Sequence, residues 1–105
     1  MIKTIIFALL LMTLYQNINA QEYLVDQKNK TFFPPTMKLH VGDTIRFKNS
    51  DPFAHNAYTD DKANEFDIGM QSPNKDKIVE IKEAGNFDIE CAIHPNMLIK
   101  VEVKE

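Results

Sequence analysis

Phe87-Asp88-Ile89-Glu90-Cys91 and Ile99-Lys100-Val101-Glu102-Val103-Lys104 alternate between apolar and polar residues on either side of Ala92-Ile93-His94-Pro95-Asn96-Met97. Alternation with a period of two is the signature of a half-buried strand, because successive side chains point to opposite faces. Phe87, Ile89 and Cys91 therefore share an inward face, which places a thiol at the core edge of a strand, held by packing. Pro95 lacks an amide donor and clashes with a continuing helix, so the intervening segment reads as a turn. The two strands become neighbours, and their turn carries Cys91, His94 and Met97 to one end of the fold.

The same pattern recurs outward along the chain. Met37-Lys38-Leu39-His40-Val41 alternates, with Met37, Leu39 and Val41 expected on the inner face and His40 facing solvent. Gly42-Asp43 turns the chain into Thr44-Ile45-Arg46-Phe47-Lys48, where Ile45 and Phe47 point inward. Asn49-Ser50-Asp51-Pro52 is a loop signal that delivers Phe53, Ala54 and His55 at the end of that strand. Residues 77–82 predict a strand with Val79 and Ile81 on one face, closed by a turn over Glu83-Ala84-Gly85-Asn86. A first strand is expected within residues 23–33, its register left open. Residues 60–75, rich in Asn and Asp, read as an irregular connection. Short strands at this spacing, without repeats or linkers, indicate an all-β sandwich or barrel.

The chain has 105 residues, 12 Lys+Arg, 15 Asp+Glu and a formal net charge of −3. Residues 1–20 read as a secretory signal peptide, with Lys3 as the charged start, an apolar run over residues 5–14 and Ile18-Asn19-Ala20 before cleavage. The run is too short to span a bilayer. Its removal leaves one domain, residues 21–105, and takes one of the 12 cations, so the formal charge becomes −4. The expected location is the periplasm. A mildly acidic chain with no basic cluster offers no footprint for nucleic acid or anionic lipid, and neither nucleic-acid binding nor membrane insertion is expected. A domain this small buries a limited core and often relies on a disulfide or a metal. The single cysteine excludes an internal disulfide. Metal ligation would both use and protect a lone exported thiol.

Cys91, His94 and Met97, joined by His55 from a distant strand end, offer a thiolate, two imidazoles and a thioether. Soft and borderline donors in this combination suit a blue-copper site, with one cysteine and two histidines as strong ligands and methionine as a weak axial one. Taken singly, the same residues read as a core cysteine, surface histidines and a core methionine. Cysteine and histidine also serve zinc, although structural zinc usually takes paired cysteines and a thioether is a poor zinc ligand. A Cys/His nucleophile pair is the catalytic alternative. No third orienting group stands out for it and the domain leaves little room for a substrate cleft, so an enzyme is not expected.

Cys91-Ala92-Ile93-His94-Pro95-Asn96-Met97 resembles the C-x-x-H-P-x-M ligand loop of the amicyanin-like members of the plastocyanin/azurin cupredoxin family. Phe33-Pro34, Val41-Gly42-Asp43-Thr44 leading into Phe47-Lys48-Asn49, and His55-Asn56 also occur in family order. The resemblance implies a Greek-key β-sandwich that binds one type 1 copper ion, cycling between Cu(I) and Cu(II), through His55, Cys91, His94 and Met97. It further implies that Asn56 ties the first ligand's loop to the cysteine loop. Pro95 with Pro35, Phe53 and Met70 would form an apolar docking patch around His94. The expected function is that of a soluble, monomeric periplasmic electron carrier whose transient partners are a cytochrome or a periplasmic dehydrogenase or reductase. Storage or delivery of copper without a redox cycle is the alternative. Residues 60–75 match nothing specific in the family.

Overall fold

The computed structural model of the protein describes residues 20–105, so the signal segment read over residues 1–20 lies, apart from Ala20, outside the described residues. The described residues form nine strands in two sheets and no helix. In chain order these are β1 (Glu22–Lys28), β2 (Thr31–Phe33), β3 (Thr36–His40), β4 (Thr44–Asn49), β5 (Tyr58–Thr59), β6 (Phe66–Asp67), β7 (Asp76–Glu80), β8 (Gly85–Glu90) and β9 (Leu98–Lys104). One sheet has the order β2-β1-β4-β7 and the other β3-β9-β8-β5-β6. β1 runs parallel to β4, and β3 parallel to β9. Parallel neighbours cannot be joined by a tight hairpin. The chain instead leaves the first sheet after β2, lays β3 in the second and returns for β4. The result is the Greek-key sandwich that the alternation and the family resemblance implied.

Between the sheets lies one core. Val25 on β1 and Ile45 and Phe47 on β4 are fully buried, and they face a second layer of Leu39, Ile89, Ile99, Val101 and Val103. Taking one such side chain out of water contributes about 1.5–3 kcal/mol. Phe47 sits at the centre, its ring 6.5 Å from Phe32 and 6.1 Å from Phe66.

Three stretches differ from the expectations. Residues 23–33 hold two antiparallel strands, paired from Asp26↔Phe33 to Lys28↔Thr31, with Asn29 and Lys30 both at positive φ (55° and 56°) in the turn between them. Two central residues at positive φ make the type I′ turn that suits a tight hairpin. Val41 is exposed and not inward, because β3 ends at His40 and the chain turns there through Gly42 at φ 96°. The Asp43 carboxylate fixes that turn by accepting the amides of His40 and Gln21. The connection over residues 60–75 is mostly irregular but contains β6, which pairs with β5 as a two-residue ladder. It is pinned by buried Asn64, whose amide donates to Glu83 O and accepts from the Lys82 and Glu83 amides.

The strand registers define two ends of the sandwich. Lys28, Asn49, Cys91 and Leu98 mark one end. Gly42, Glu80 and Lys104 mark the other, where Val41 N bonds Lys104 O and Gly42 N bonds Ile81 O.

Candidate metal centre

β8 delivers Cys91 directly into the core. Phe87, Ile89 and Cys91 lie on the buried face, and Cys91 is 2% exposed. The following turn closes through a Met97 N–H to His94 O hydrogen bond of 3.0 Å, after which β9 begins. That closure leaves His94 half-buried and Met97 buried at the head of β9.

His55 arrives from the loop between β4 and β5. It is fully buried, and its backbone forms an isolated bridge with Gln71 through hydrogen bonds of 3.0 and 2.8 Å. The donor atoms of His55, Cys91 and His94 all lie within 4.8 Å of one another. Cys91 Sγ is 3.8 Å from His94 Nδ1, and the two imidazole rings meet edge to face at 4.8 Å.

The deciding detail is on the His55 ring. Its Nε2 lies 2.7 Å from Asp51 Oδ2. A carboxylate can only accept, so Nε2 carries the proton and Nδ1 keeps its lone pair. That Nδ1 is buried without any hydrogen-bond partner. Buried polar atoms in folded proteins are nearly always paired, so an orphan beside a thiol and a second imidazole needs an explanation. A metal ion supplies it, since a ligating histidine typically donates its other ring N–H to a carboxylate or carbonyl. The donor set of one sulfur and two imidazole nitrogens fits copper chemistry, and zinc less well for want of a second thiolate.

Asp51 organises more than His55. Its carboxylate also accepts the amides of Asn29 at 2.7 Å and Lys30 at 3.0 Å, fastening the β1–β2 turn to the His55 loop. Burial alone would raise this carboxyl. The Lys30 amide, His55 and the Asn29 amide outweigh it and hold Asp51 below the ordinary carboxylate range. Burial lowers His94 below the usual imidazole range, and the neighbouring His55 and Lys30 push the same way against a smaller opposing pull from Asp51.

Asn56 Oδ1 accepts the Ala92 amide at 3.1 Å, while its Nδ2 donates to Asp67 Oδ1 at 2.8 Å and Gly69 O at 3.1 Å. The residue after His55 thus joins the cysteine turn to the β6 connection. Behind it lies a set of fully buried amides. Gln27 donates to Gln71, Gln71 donates to Phe47 O, and Asn49 donates to Phe53 O and Gln71 O. This network fixes both partners of the His55–Gln71 bridge.

Phe53, 36% exposed, stacks at 5.3 Å from the His55 ring and 5.7 Å from the His94 ring. Pro95 adjoins His94 and is exposed. Pro35 is also exposed, at the entry to β3, with its carbonyl accepting the Lys100 amide. Met70 is 70% exposed beside Gln71, and Ile93, absent from the sequence reading of the patch, is exposed beside His94. His40 faces solvent at the opposite end of the molecule.

No protein-family model matches the chain. It is 29% identical over 85 residues to the methylamine utilization protein MauL of Methylorubrum extorquens, covering 80% of this chain and 75% of that one. A solved amicyanin variant in its reduced state superposes with a TM-score of 0.70 at 27% identity, covering 82% of this chain and 83% of the other. The chain is similar to amicyanin in sequence and in fold. A Cu-containing nitrite reductase from Thermus scotoductus also superposes, with a TM-score of 0.74 at 23% identity over 80% of this chain. This chain spans only 22% of that enzyme, so the likeness is one of fold.

Reading the sequence of this amicyanin-like protein missed Asp51, Asn49, Gln27 and Gln71. Gln27 carried a usable signal, because it stands two residues after Val25 on an inward strand face. Asp51 and Gln71 carried none, since both lie in segments without periodicity.

Proposed function

We propose that this protein is a small blue copper protein that carries single electrons between redox partners. One copper ion would be held by His55 Nδ1, Cys91 Sγ and His94 Nδ1, with Met97 as a weak fourth donor. When bound, that ion would supply a one-electron Cu(I)/Cu(II) couple and, through the thiolate, a strong visible absorption. The observation that carries this reading is the buried, unpaired Nδ1 of His55 facing the Cys91 and His94 donors.

The chain's own residues prepare the site before any ion arrives. Asp51 selects the His55 tautomer and orients the ring. Asn56 and the Gln71 bridge hold the two ligand-bearing segments in a fixed relation. A frame of directional hydrogen bonds resists rearrangement when charge changes, and small rearrangement favours fast electron exchange. Half-buried His94, ringed by Phe53, Pro95 and Ile93, gives the electron an exit of modest apolar area, suited to brief encounters. Residues 1–20 act as the signal peptide that sends residues 21–105 to the periplasm as a soluble monomer. The role is that of a carrier and not an enzyme.

Copper titration of the metal-free protein, followed by optical and electron-paramagnetic spectra, tests the reading. One equivalent should produce the thiolate-to-copper band, and reduction should bleach it reversibly. Cys91→Ser should abolish the band. Absence of stoichiometric copper uptake, or a band that survives in Cys91→Ser, overturns the proposal. Tight Cu(I) binding with no reversible oxidation would turn it toward copper delivery.

A further inference from the structure

Two carboxylates are buried among the described residues, Asp43 and Asp51, and they are compensated differently. Asp51 faces the His55 imidazole as well as two amides. Asp43, 1% exposed in the turn between β3 and β4, meets only amides, from His40 at 2.7 Å on Oδ2 and from Gln21 at 2.9 Å on Oδ1. No lysine, arginine or histidine among the described residues pairs with it. A carboxylate taken out of water is costly unless a cation meets it, so a buried acid is nearly always paired.

Gln21 is the residue that the sequence reading places first after the signal segment, with Ile18-Asn19-Ala20 before the cut. Both polar atoms of its backbone are already engaged. The amide donates to Asp43, and the carbonyl accepts the Thr44 amide at 2.9 Å beside the first pair of the parallel β1–β4 ladder. Its side-chain Oε1 accepts the Tyr23 hydroxyl at 3.1 Å. Hydrolysis of the Ala20–Gln21 bond adds one water, leaving a carboxylate on the leader and an amine on Gln21. An ordinary α-amine has a pKa of about 8, so it is mostly ammonium at neutral pH. The new cation therefore arises on the atom that already touches the buried acid lacking one.

Resting on the signal-peptide reading above, we propose that removal of residues 1–20 completes the fold, because the Gln21 α-ammonium then forms an ion pair with Asp43 that the precursor, with a neutral amide in that place, lacks. A charge-assisted hydrogen bond is roughly twice as strong as a neutral one. The pair fastens the start of β1 to the β3–β4 turn, at the end of the sandwich away from Cys91, only once the leader has gone. It also protects the new terminus. An N-terminal glutamine cyclises when its neutral amine attacks its own side-chain Cδ: the N–Cδ bond forms, the Cδ–Nε2 bond breaks and ammonia leaves. An amine kept protonated on Asp43, with its side chain bonded to Tyr23, is withheld from that reaction.

The full chain, expressed with its leader and recovered after export, tests the proposal. Mass spectrometry should find a chain that starts at Gln21 with its ammonia retained. One serine inserted between Ala20 and Gln21 moves the ammonium outward and returns a neutral amide to Asp43. It should lower the folding equilibrium constant on the order of 10-fold, read from urea unfolding. In an Asp43→Asn background the same insertion should change little, as a double-mutant cycle requires of a true pair. Equal costs in the two backgrounds overturn the proposal, and so does a lactam at residue 21 of the freshly exported protein, since a lactam carries no charge. Should Asp43→Asn fail to fold, the rate of ammonia loss decides. It should be about 10-fold slower in the folded wild type than in the same chain held in guanidinium chloride, the factor that one unit of amine pKa brings. Equal rates overturn the pair. An exported chain that starts at another residue overturns the signal-peptide boundary, whereas one that starts at Gln21 without coupling to Asp43 overturns the ion pair alone.

Discussion

The middle of the sandwich and its Cys91 end are built from opposite materials. Around Phe47 the contacts are apolar and non-directional, and Val25, Ile45, Ile89 and Ile99 lose all exposure there. At the Cys91 end the buried polar groups are Asn49, Asp51, His55, Asn56 and Gln71, each placed by hydrogen bonds of defined partners. Packing of the first kind tolerates changes of shape and stabilises in proportion to area. Polar networks of the second kind add little net stability but fix orientation, and they fail sharply when one member is lost. The protein puts its stability in one region and its geometry in another.

Phe47→Ala tests the first half of that contrast and should have the largest effect. Removing a fully buried ring should cost about 3–5 kcal/mol, read from urea unfolding, whereas Phe47→Leu should cost much less. Copper spectra of the folded fraction should be unaltered in both. A shifted spectrum would show that the two regions are coupled.

Asp51→Ala tests the second half. It strips the acceptor from the Asn29 and Lys30 amides and from His55 Nε2, and should cost about 1–3 kcal/mol of stability. The larger consequence should be on the metal, a 10- to 100-fold loss of copper affinity in competition with a chelator, which is roughly what loss of a ligand's orienting partner brings. Unchanged affinity would mean that the bridge to Gln71 alone places His55.

Acid should expose the smallest difference. His94 is held below the ordinary imidazole value of 6.5, so the unfolded chain takes up its proton first and the metal-free protein loses stability as pH falls below that value. Asp51 is held below 3.8, so its stabilising contribution is intact above that pH and fades only in stronger acid. The urea midpoint of the wild type should therefore converge on that of His94→Asn between about pH 7 and about pH 5, the range around an ordinary histidine pKa. Parallel curves would refute the assignment to His94.

The contrast also explains what the sequence disclosed. Strands β3, β4, β8 and β9 were legible because apolar burial leaves a period of two in the residue order, and Cys91 and His94 were legible because one turn keeps them together. Val41 misled because the period continues one residue past the point where Asp43 turns the chain. The β1–β2 hairpin hid because Asn29-Lys30 lacks the glycine that usually announces such a turn. Asp51 and Gln71 were illegible for a deeper reason, since hydrogen bonds between loops distant in the chain impose no spacing rule on either segment.

β1 starts and β9 finishes at the same end of the molecule. Gln21 is tied to Thr44 and Asp43, and Lys104 to Val41, all on the side away from Cys91. An affinity tag, a fusion partner or a surface linker joined at Gln21 or at Glu105 would consequently grip the molecule by its back. On an electrode such a handle would present every copy with His94 facing the solution.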